Sequence, residues 1–164
     1  MTAAHRANHL MQLSDILAPQ RVLAGAQASS KKRALELLSL LLAEKTDTTS
    51  QEIFESLIAR ERLGSTALGY GVALPHGRMK KISGTRGAFV QLVQGVDFDA
   101  ADRGPVDLLF AIIVPEHCTE EHLQLVAQIA ELFSNEAIRN QLRQAKDTDA
   151  LLATLTHWNP HHAP

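Results

Sequence analysis

Residues 106–114 read Val-Asp-Leu-Leu-Phe-Ala-Ile-Ile-Val, and the predicted fold is built around them. They are nearly unbroken in apolar, β-forming residues, which is the pattern of a strand buried on both faces. The longest apolar run, residues 108–114, is much shorter than the ~20 residues that a membrane-spanning helix requires. We therefore predict a central strand in a sheet that is covered on both sides, without insertion into a membrane.

Shorter segments predict further strands at 22–23, 72–74 and 88–93. Helices are predicted where a capping side chain precedes apolar residues at helical spacing. The candidate caps are Ser29 or Ser30, Thr49, Thr119, Asn135 and Asp147. Thr49 and Glu52 also have the spacing of a capping box. Strands that alternate with amphipathic helices predict an α/β fold, with a small mixed β-sheet sandwiched by α-helices in a single domain.

The length of 164 residues suits one domain. We place that domain at residues 11–157. Residues 1–10 are predicted to form a flexible N-terminal tail and residues 158–164 a flexible C-terminal tail, because their polar residues and prolines cannot build a core.

The charge balance of 16 Lys and Arg against 18 Asp and Glu gives a net charge of −2. A broad basic face is therefore not expected, which argues against non-specific nucleic-acid binding. Cys118 is the single cysteine, so an internal disulfide is impossible and a reducing compartment is favoured. Residues 1–8 lack the apolar core of a signal peptide, and we expect a cytoplasmic protein.

His76 is the first candidate functional residue, because it lies between Pro75 and Gly77 after a predicted strand. Proline lacks an amide donor, so the chain is expected to leave the sheet there. Gly77 would let another molecule approach. An imidazole at a strand end is a good nucleophile at neutral pH, since its ordinary pKa is ~6.5. Taken alone, the pattern is more typical of a turn histidine without a role.

The residues before His76 contain groups that could bind a phosphoryl group. Arg60 lies at a predicted helix end, Ser65 and Thr66 supply hydroxyls, and the Gly69–Gly71 turn could aim backbone amides. Each also has an ordinary structural explanation, a C-terminal arginine near the helix dipole or a plain loop. The glycines are not followed by Lys-Ser/Thr, so a nucleotide-binding P-loop is not indicated.

Residues 61–77 read Glu-Arg-Leu-Gly-Ser-Thr-Ala-Leu-Gly-Tyr-Gly-Val-Ala-Leu-Pro-His-Gly. This stretch resembles the signature of type-2 enzyme IIA domains, the mannitol/fructose-type IIA proteins of the phosphoenolpyruvate:sugar phosphotransferase system (PTS). The resemblance covers roughly residues 13–155. Residues 30–36 and 98–110 are most similar to the nitrogen-regulatory branch of that family (enzyme IIA-Ntr).

The resemblance implies roles for individual residues. His76 would be the phosphoryl acceptor, through Nε2 (the tele nitrogen), and Arg60 would help to hold the phosphoryl group. His122 would lie beside His76, and Ser65 or Thr66 would stabilise the transferred charge. No cofactor or metal is implied. Tyr70 departs from the asparagine that is common at its position.

The resemblance also implies partners. An HPr-like phosphocarrier would donate the phosphoryl group, and the regulated proteins would be potassium transporters, sensor kinases or metabolic enzymes. Two alternatives remain open: a sugar-specific IIA component that passes phosphate to a IIB domain, and a pure binding module whose histidine no longer turns over.

The remaining histidines and Cys118 do not predict a metal site. His5, His9, His161 and His162 lie in the predicted tails. His117, Cys118 and His122 are close in sequence, but the HExxH pattern of a zinc enzyme is absent. Cys118 is predicted to be an ordinary thiol, and the loop of a phosphocysteine-bearing IIB domain does not follow it.

Overall fold

The structure is a computed structural model that describes residues 11–117 and 119–158. The prediction for Cys118 and those for both tails lie outside these residues, with the exception of Trp158. Trp158 packs against the core.

Six helices and six strands are present in the part of the chain that the structure describes. The helices are α1 (Leu13–Ile16), α2 (Lys31–Leu42), α3 (Ser50–Glu61), α4 (Thr119–Phe133), α5 (Glu136–Gln144) and α6 (Thr148–His157). The strands are β1 (Val22–Ala26), β2 (Ala67–Gly69), β3 (Val72–Ala73), β4 (His76–Met79), β5 (Arg86–Val96) and β6 (Val106–Pro115). None of the described helices is long and apolar enough to cross a membrane.

Local capping starts the helices where the sequence predicts. Ser30, rather than Ser29, caps α2 by accepting the backbone N–H of Arg33. Thr49 and Glu52 form the predicted capping box at the start of α3. The side chains of Asn135 and Asp147 cap α5 and α6. These four helix starts are confirmed. Thr119, which was predicted to cap α4, is instead the first residue of that helix.

The sheet has the order β1-β5-β6-β3-β2, and β4 pairs with β6 beyond the end of β3. β1 is parallel to β5, and β3 and β4 are parallel to β6, whereas β5 and β6 are antiparallel. β6 is therefore the predicted central strand. Its residues alternate between two cores, so that Ile112 packs under α1, α4, α5 and α6 while Ile113 packs under α2 and α3. The predicted mixed sheet between helical layers is confirmed.

The prediction that the chain leaves the sheet at Pro75 is wrong. Ala73 pairs with Leu109 and His76 pairs with Ile112, which is the same register on both sides of the proline. The carbonyl of Pro75 still accepts the N–H of Ile112 at 3.0 Å. Proline removes a donor but keeps its acceptor, so the ladder is interrupted briefly and then resumes as β4. The short strand β2 was also not predicted, because glycine and hydroxyl residues around it are typical of a loop.

Candidate functional site

His76 is the first residue of β4 and is half-buried. Its Nδ1 lies 2.8 Å from the backbone carbonyl oxygen of Leu74. A carbonyl can only accept, so Nδ1 carries the proton and donates it. The lone pair of the neutral ring is therefore on Nε2, the nitrogen that can act as a nucleophile.

His122 lies beside His76, although 46 positions separate the two residues in the sequence. The ring centroids are 5.1 Å apart and the planes are tilted by 55°. His122 belongs to the first turns of α4 and is 6% exposed. Its Nδ1 is buried and finds no hydrogen-bond partner among the described residues.

Both imidazoles are held neutral at neutral pH. Burial, followed by repulsion from His76 when that ring is protonated and from the charges of Arg78 and Arg60, lowers the pKa of His122 to about 4. Burial also lowers the pKa of His76; the hydrogen bond to Leu74 and the charge of Glu61 oppose this shift, and the charges of Arg60 and Arg78 reinforce it. Because the neutral form of imidazole is the nucleophile, these shifts keep His76 reactive.

Two arginines supply positive charge near the histidine pair. Arg60 lies in the last turn of α3, as predicted, and its Nη1 donates to the carbonyl of Gly64 at 2.8 Å. Sequence reasoning missed Arg78, which is exposed and follows His76 by two positions in β4. Residues two apart in a strand lie on the same face, so Arg78 shares a face with His76. That spacing could have indicated Arg78 only if β4 itself had been predicted.

The hydroxyls of Ser65 and Thr66 have partners inside the protein. Ser65 donates to the carbonyl of Phe98 at 2.7 Å. The Thr66 hydroxyl donates to the buried carboxylate of Glu61, which also accepts the Thr66 N–H and forms an ion pair with Lys31 at 2.9 Å. In this structure both hydroxyls therefore fasten the loop after α3, and their role toward a phosphoryl group stays a prediction.

The Gly69–Gly71 turn lies away from His76. Val72, just after the turn, pairs with Leu108, whereas His76 pairs with Ile112, four residues further along β6. Four residues of strand span about 13 Å. The backbone groups of the turn are also engaged, because the N–H of Tyr70 donates to Asp102 and the carbonyl of Gly71 accepts from Leu108. The expectation that this turn aims amides at the site is therefore wrong.

The conformation of Tyr70 gives a physical reason for an asparagine at its position. Tyr70 has φ 57°, a left-handed conformation that asparagine adopts far more readily than tyrosine. The guanidinium of Arg139 lies over the Tyr70 ring, 4.3 Å from its centroid, and stabilises it there.

Gly77 does not provide the open approach that its position predicts. A Cβ at this position would lie 2.3 Å from the Oγ of Ser56, so α3 already occupies the space. Within residues 11–117 and 119–158, no cluster of three or more His, Cys, Asp or Glu side chains is placed to hold a metal ion.

Residues 15–158 match the family described as "Phosphoenolpyruvate-dependent sugar phosphotransferase system, EIIA 2". The chain belongs to this family.

The relatives define the branch. A nitrogen regulatory protein of Pseudomonas aeruginosa is 46% identical over 143 residues, which is 87% of this chain and 93% of that protein. One of Bradyrhizobium diazoefficiens is 39% identical over 145 residues, covering 88% and 95%. The crystal structure of nitrogen regulatory protein IIA-Ntr from Neisseria meningitidis superposes with a TM-score of 0.84 at 40% identity, covering 88% of this chain and 99% of that one. The predicted nitrogen-regulatory branch of enzyme IIA is confirmed.

Proposed function

We propose that this chain is a phosphocarrier that takes a phosphoryl group on Nε2 of His76 and regulates partner proteins through its phosphorylation state. The proposal rests above all on the hydrogen bond from Nδ1 of His76 to the carbonyl of Leu74. That bond selects the nucleophilic nitrogen before any partner arrives, and it requires no metal or cofactor.

Transfer needs no proton movement at the acceptor. The N–P bond of a phosphohistidine donor breaks as the bond from phosphorus to Nε2 of His76 forms. The Nδ1 proton stays in its hydrogen bond with Leu74, and the carbonyl stabilises the positive charge that develops on the ring. The donor ring keeps the proton on its other nitrogen and therefore leaves as a neutral imidazole.

The surrounding charges suit the transferred group. During transfer, a phosphoryl group spreads negative charge over its equatorial oxygens. Arg60 and Arg78 supply positive charge near His76, and neutral His122 can donate a hydrogen bond without adding a competing positive charge. Ser65 and Thr66 act mainly by holding the loop that joins Arg60 to the site.

An HPr-like phosphocarrier is the proposed donor, and the regulatory targets are potassium transporters, sensor kinases or metabolic enzymes. The phosphoryl group adds about −1.5 to −2 charges beside two arginines, which is enough to change which protein surfaces can dock. The relatives named nitrogen regulatory proteins favour this reading over the alternative, a sugar-specific IIA that passes phosphate to a IIB domain.

The test is incubation with phosphoenolpyruvate, enzyme I and an HPr-like carrier, followed by intact-mass measurement. We expect the wild-type chain to gain one phosphoryl group in an acid-labile bond and His76→Gln to gain none. The exposed histidine His117 provides the matched control, since His117→Gln should take up phosphate like the wild type. Undiminished uptake by His76→Gln would refute the proposal, and no uptake by the wild type would favour a pure binding module.

A second measurement separates regulation from sugar transport. In one experiment, the phosphorylated chain is mixed with a purified IIB domain. In another, the phosphorylated and unphosphorylated chains are each used to capture proteins from a lysate. Regulation predicts slow loss of phosphate to IIB and two different sets of captured proteins. Rapid transfer to IIB together with identical captured sets would establish the sugar-specific alternative.

A further inference from the structure

A second group of positive charges lies on the opposite face of the sheet from His76. Arg21, Lys45, Lys81 and Arg86 line a cleft of about 480 Å³ at the connection between β4 and β5, and we call it the basic cleft. Its volume lies in the range of small-molecule sites.

The basic cleft has more positive charge than its own carboxylates neutralise. Glu44 is within 3.5 Å of Arg21 and 3.4 Å of Arg86, so one carboxylate is shared by two guanidinium groups. Asp47 is the only acid among the described residues that line the cleft, so the four cations exceed Glu44 and Asp47 by two positive charges. Burial and the charge of Arg86 lower the pKa of Arg21, and Glu44 opposes the shift only in part.

A buried donor in the basic cleft lacks an acceptor. The side chains of Arg21 and Arg86 are 11% and 19% exposed. The Nε of Arg86 is buried and has no hydrogen-bond partner among the described residues. A buried N–H without an acceptor costs free energy, and an anion that reached it after a small movement of the covering side chains would supply that acceptor.

The backbone at the rim is strained. Lys45 has φ 56°, a left-handed conformation that lysine rarely adopts. Strained backbone is found most often at functional sites, where the surrounding structure holds it in place. Here it holds an exposed cation at the mouth of the cleft.

We propose that the basic cleft binds a phosphate group, either free or carried by a small metabolite. Paired guanidiniums match phosphate oxygens, and the dianion would balance the excess charge. The site is distinct from the histidine pair. Arg86 pairs with Ile113 of β6, whose side chain points into the core under α2 and α3, whereas His76 pairs with Ile112 on the opposite face.

The experiment is a titration of the full ¹⁵N-labelled chain with inorganic phosphate, at constant ionic strength maintained with chloride. We expect saturable shifts in residues 81–86 and in the Nε–Hε signal of Arg86, which is assigned by its absence from Arg86→Lys. A parallel titration with glycerol 3-phosphate identifies the source: tighter binding indicates a phosphorylated metabolite, and equal binding indicates phosphate itself.

Lys81→Gln is the informative variant, because Lys81 is exposed and the substitution is expected to leave the fold intact. Losing this charge should weaken phosphate binding about three- to fivefold. Lys32→Gln removes the same charge from an exposed position at the other end of α2 and should leave affinity unchanged. Shifts that never saturate, saturation confined to residues around His76, or equal weakening by both variants would overturn the proposal.

Discussion

At the scale of single residues, His76 contacts one residue that is near it in the sequence and one that is distant in the sequence. Leu74 is two positions away and holds Nδ1 through its backbone carbonyl. His122 reaches the same place from α4, 5.1 Å between ring centroids. The near contact sets which nitrogen can react, and the distant one places a second neutral imidazole beside it without adding charge.

The charge of Arg60 should be visible in the pH dependence of phosphoryl uptake. Burial, with a smaller contribution from Arg60, lowers the pKa of His76, so wild-type uptake should persist below the ordinary histidine pKa of ~6.5 before protonation stops it. Removing the charge in Arg60→Gln should raise the pKa and move the acid limb of the rate profile to higher pH. Single-turnover rates are measured with the same donor for every variant, so the donor's own titration affects all profiles equally. Arg62→Gln, at an exposed neighbouring position, is the control, and coincident acid limbs for Arg60→Gln and wild type would contradict the assignment.

His122 should make the fold less stable in mild acid. The unfolded chain binds a proton at His122 near pH 6.5, whereas the folded chain does so only near the lowered pKa of about 4. Stability is therefore greatest above pH 6.5 and falls toward pH 4, by up to about 3 kcal/mol from this residue. The free energy of unfolding, measured in urea, should fall less between pH 7.5 and pH 4.5 for His122→Gln than for wild type. An equal loss in both, with His117→Gln as the reference, would argue against a buried neutral His122.

At the scale of elements, α3 and β4 together define the site. α3 begins at the Thr49–Glu52 capping box and ends with Arg60 and Glu61, while its middle packs against β4. The hydroxyl of Ser56 donates to the carbonyl of Arg78 at 3.0 Å. This contact sets the distance between the arginine-bearing helix and the histidine-bearing strand.

A side chain at position 77 should push these two elements apart. The Cβ of Gly77→Ala would lie 2.3 Å from the Oγ of Ser56, and overpacking of this kind costs about 1–3 kcal/mol. Chemical denaturation should measure the loss. The double variant with Ser56→Ala removes the clashing oxygen and should recover part of the stability. A Gly77→Ala protein as stable as wild type would mean that α3 and β4 separate freely.

At the scale of the whole molecule, one sheet divides two cores, and the site lies at the edge where β4 pairs only with β6 among the described strands. An aromatic cluster connects the sheet with α4: Phe89 and Phe133 are stacked at 6.2 Å, and Phe110 meets both edge-on. α4 carries His122 near its start and Phe133 at its end. The position of His122 therefore depends on the packing of the core.

Truncating the aromatic cluster should weaken the whole domain. Phe133 is 3% exposed, and Phe133→Ala should cost about 3–5 kcal/mol of unfolding free energy. Phe133→Leu preserves more volume and should cost less. The midpoint of urea unfolding measures both. If the loss is under about 1 kcal/mol for Phe133→Ala, α4 is held mainly by other contacts.

The sequence by itself determined the elements whose signals are local. The apolar run of β6 needed no partner to predict a buried central strand, and Thr49 and Glu52 needed only their spacing to predict the start of α3. The signature at residues 61–77 indicated the family, and Arg60 was predicted near the correct helix end. These features depend on neighbours within a few positions along the chain.

Only the tertiary structure decided which distant groups meet. Pairing with β6 kept the chain in the sheet past Pro75, because a strand partner can use the proline carbonyl even though the amide is missing. The resulting strand β4 placed Arg78 on the face of His76, and folding turned the hydroxyls of Ser65 and Thr66 toward internal partners. The basic cleft likewise forms only where the residue before β1, the loop after α2 and the connection from β4 to β5 converge. Hydrogen bonds and charge interactions across the sheet act between residues that are far apart in the sequence. Local sequence patterns could therefore identify His76 but could not predict which residues surround it.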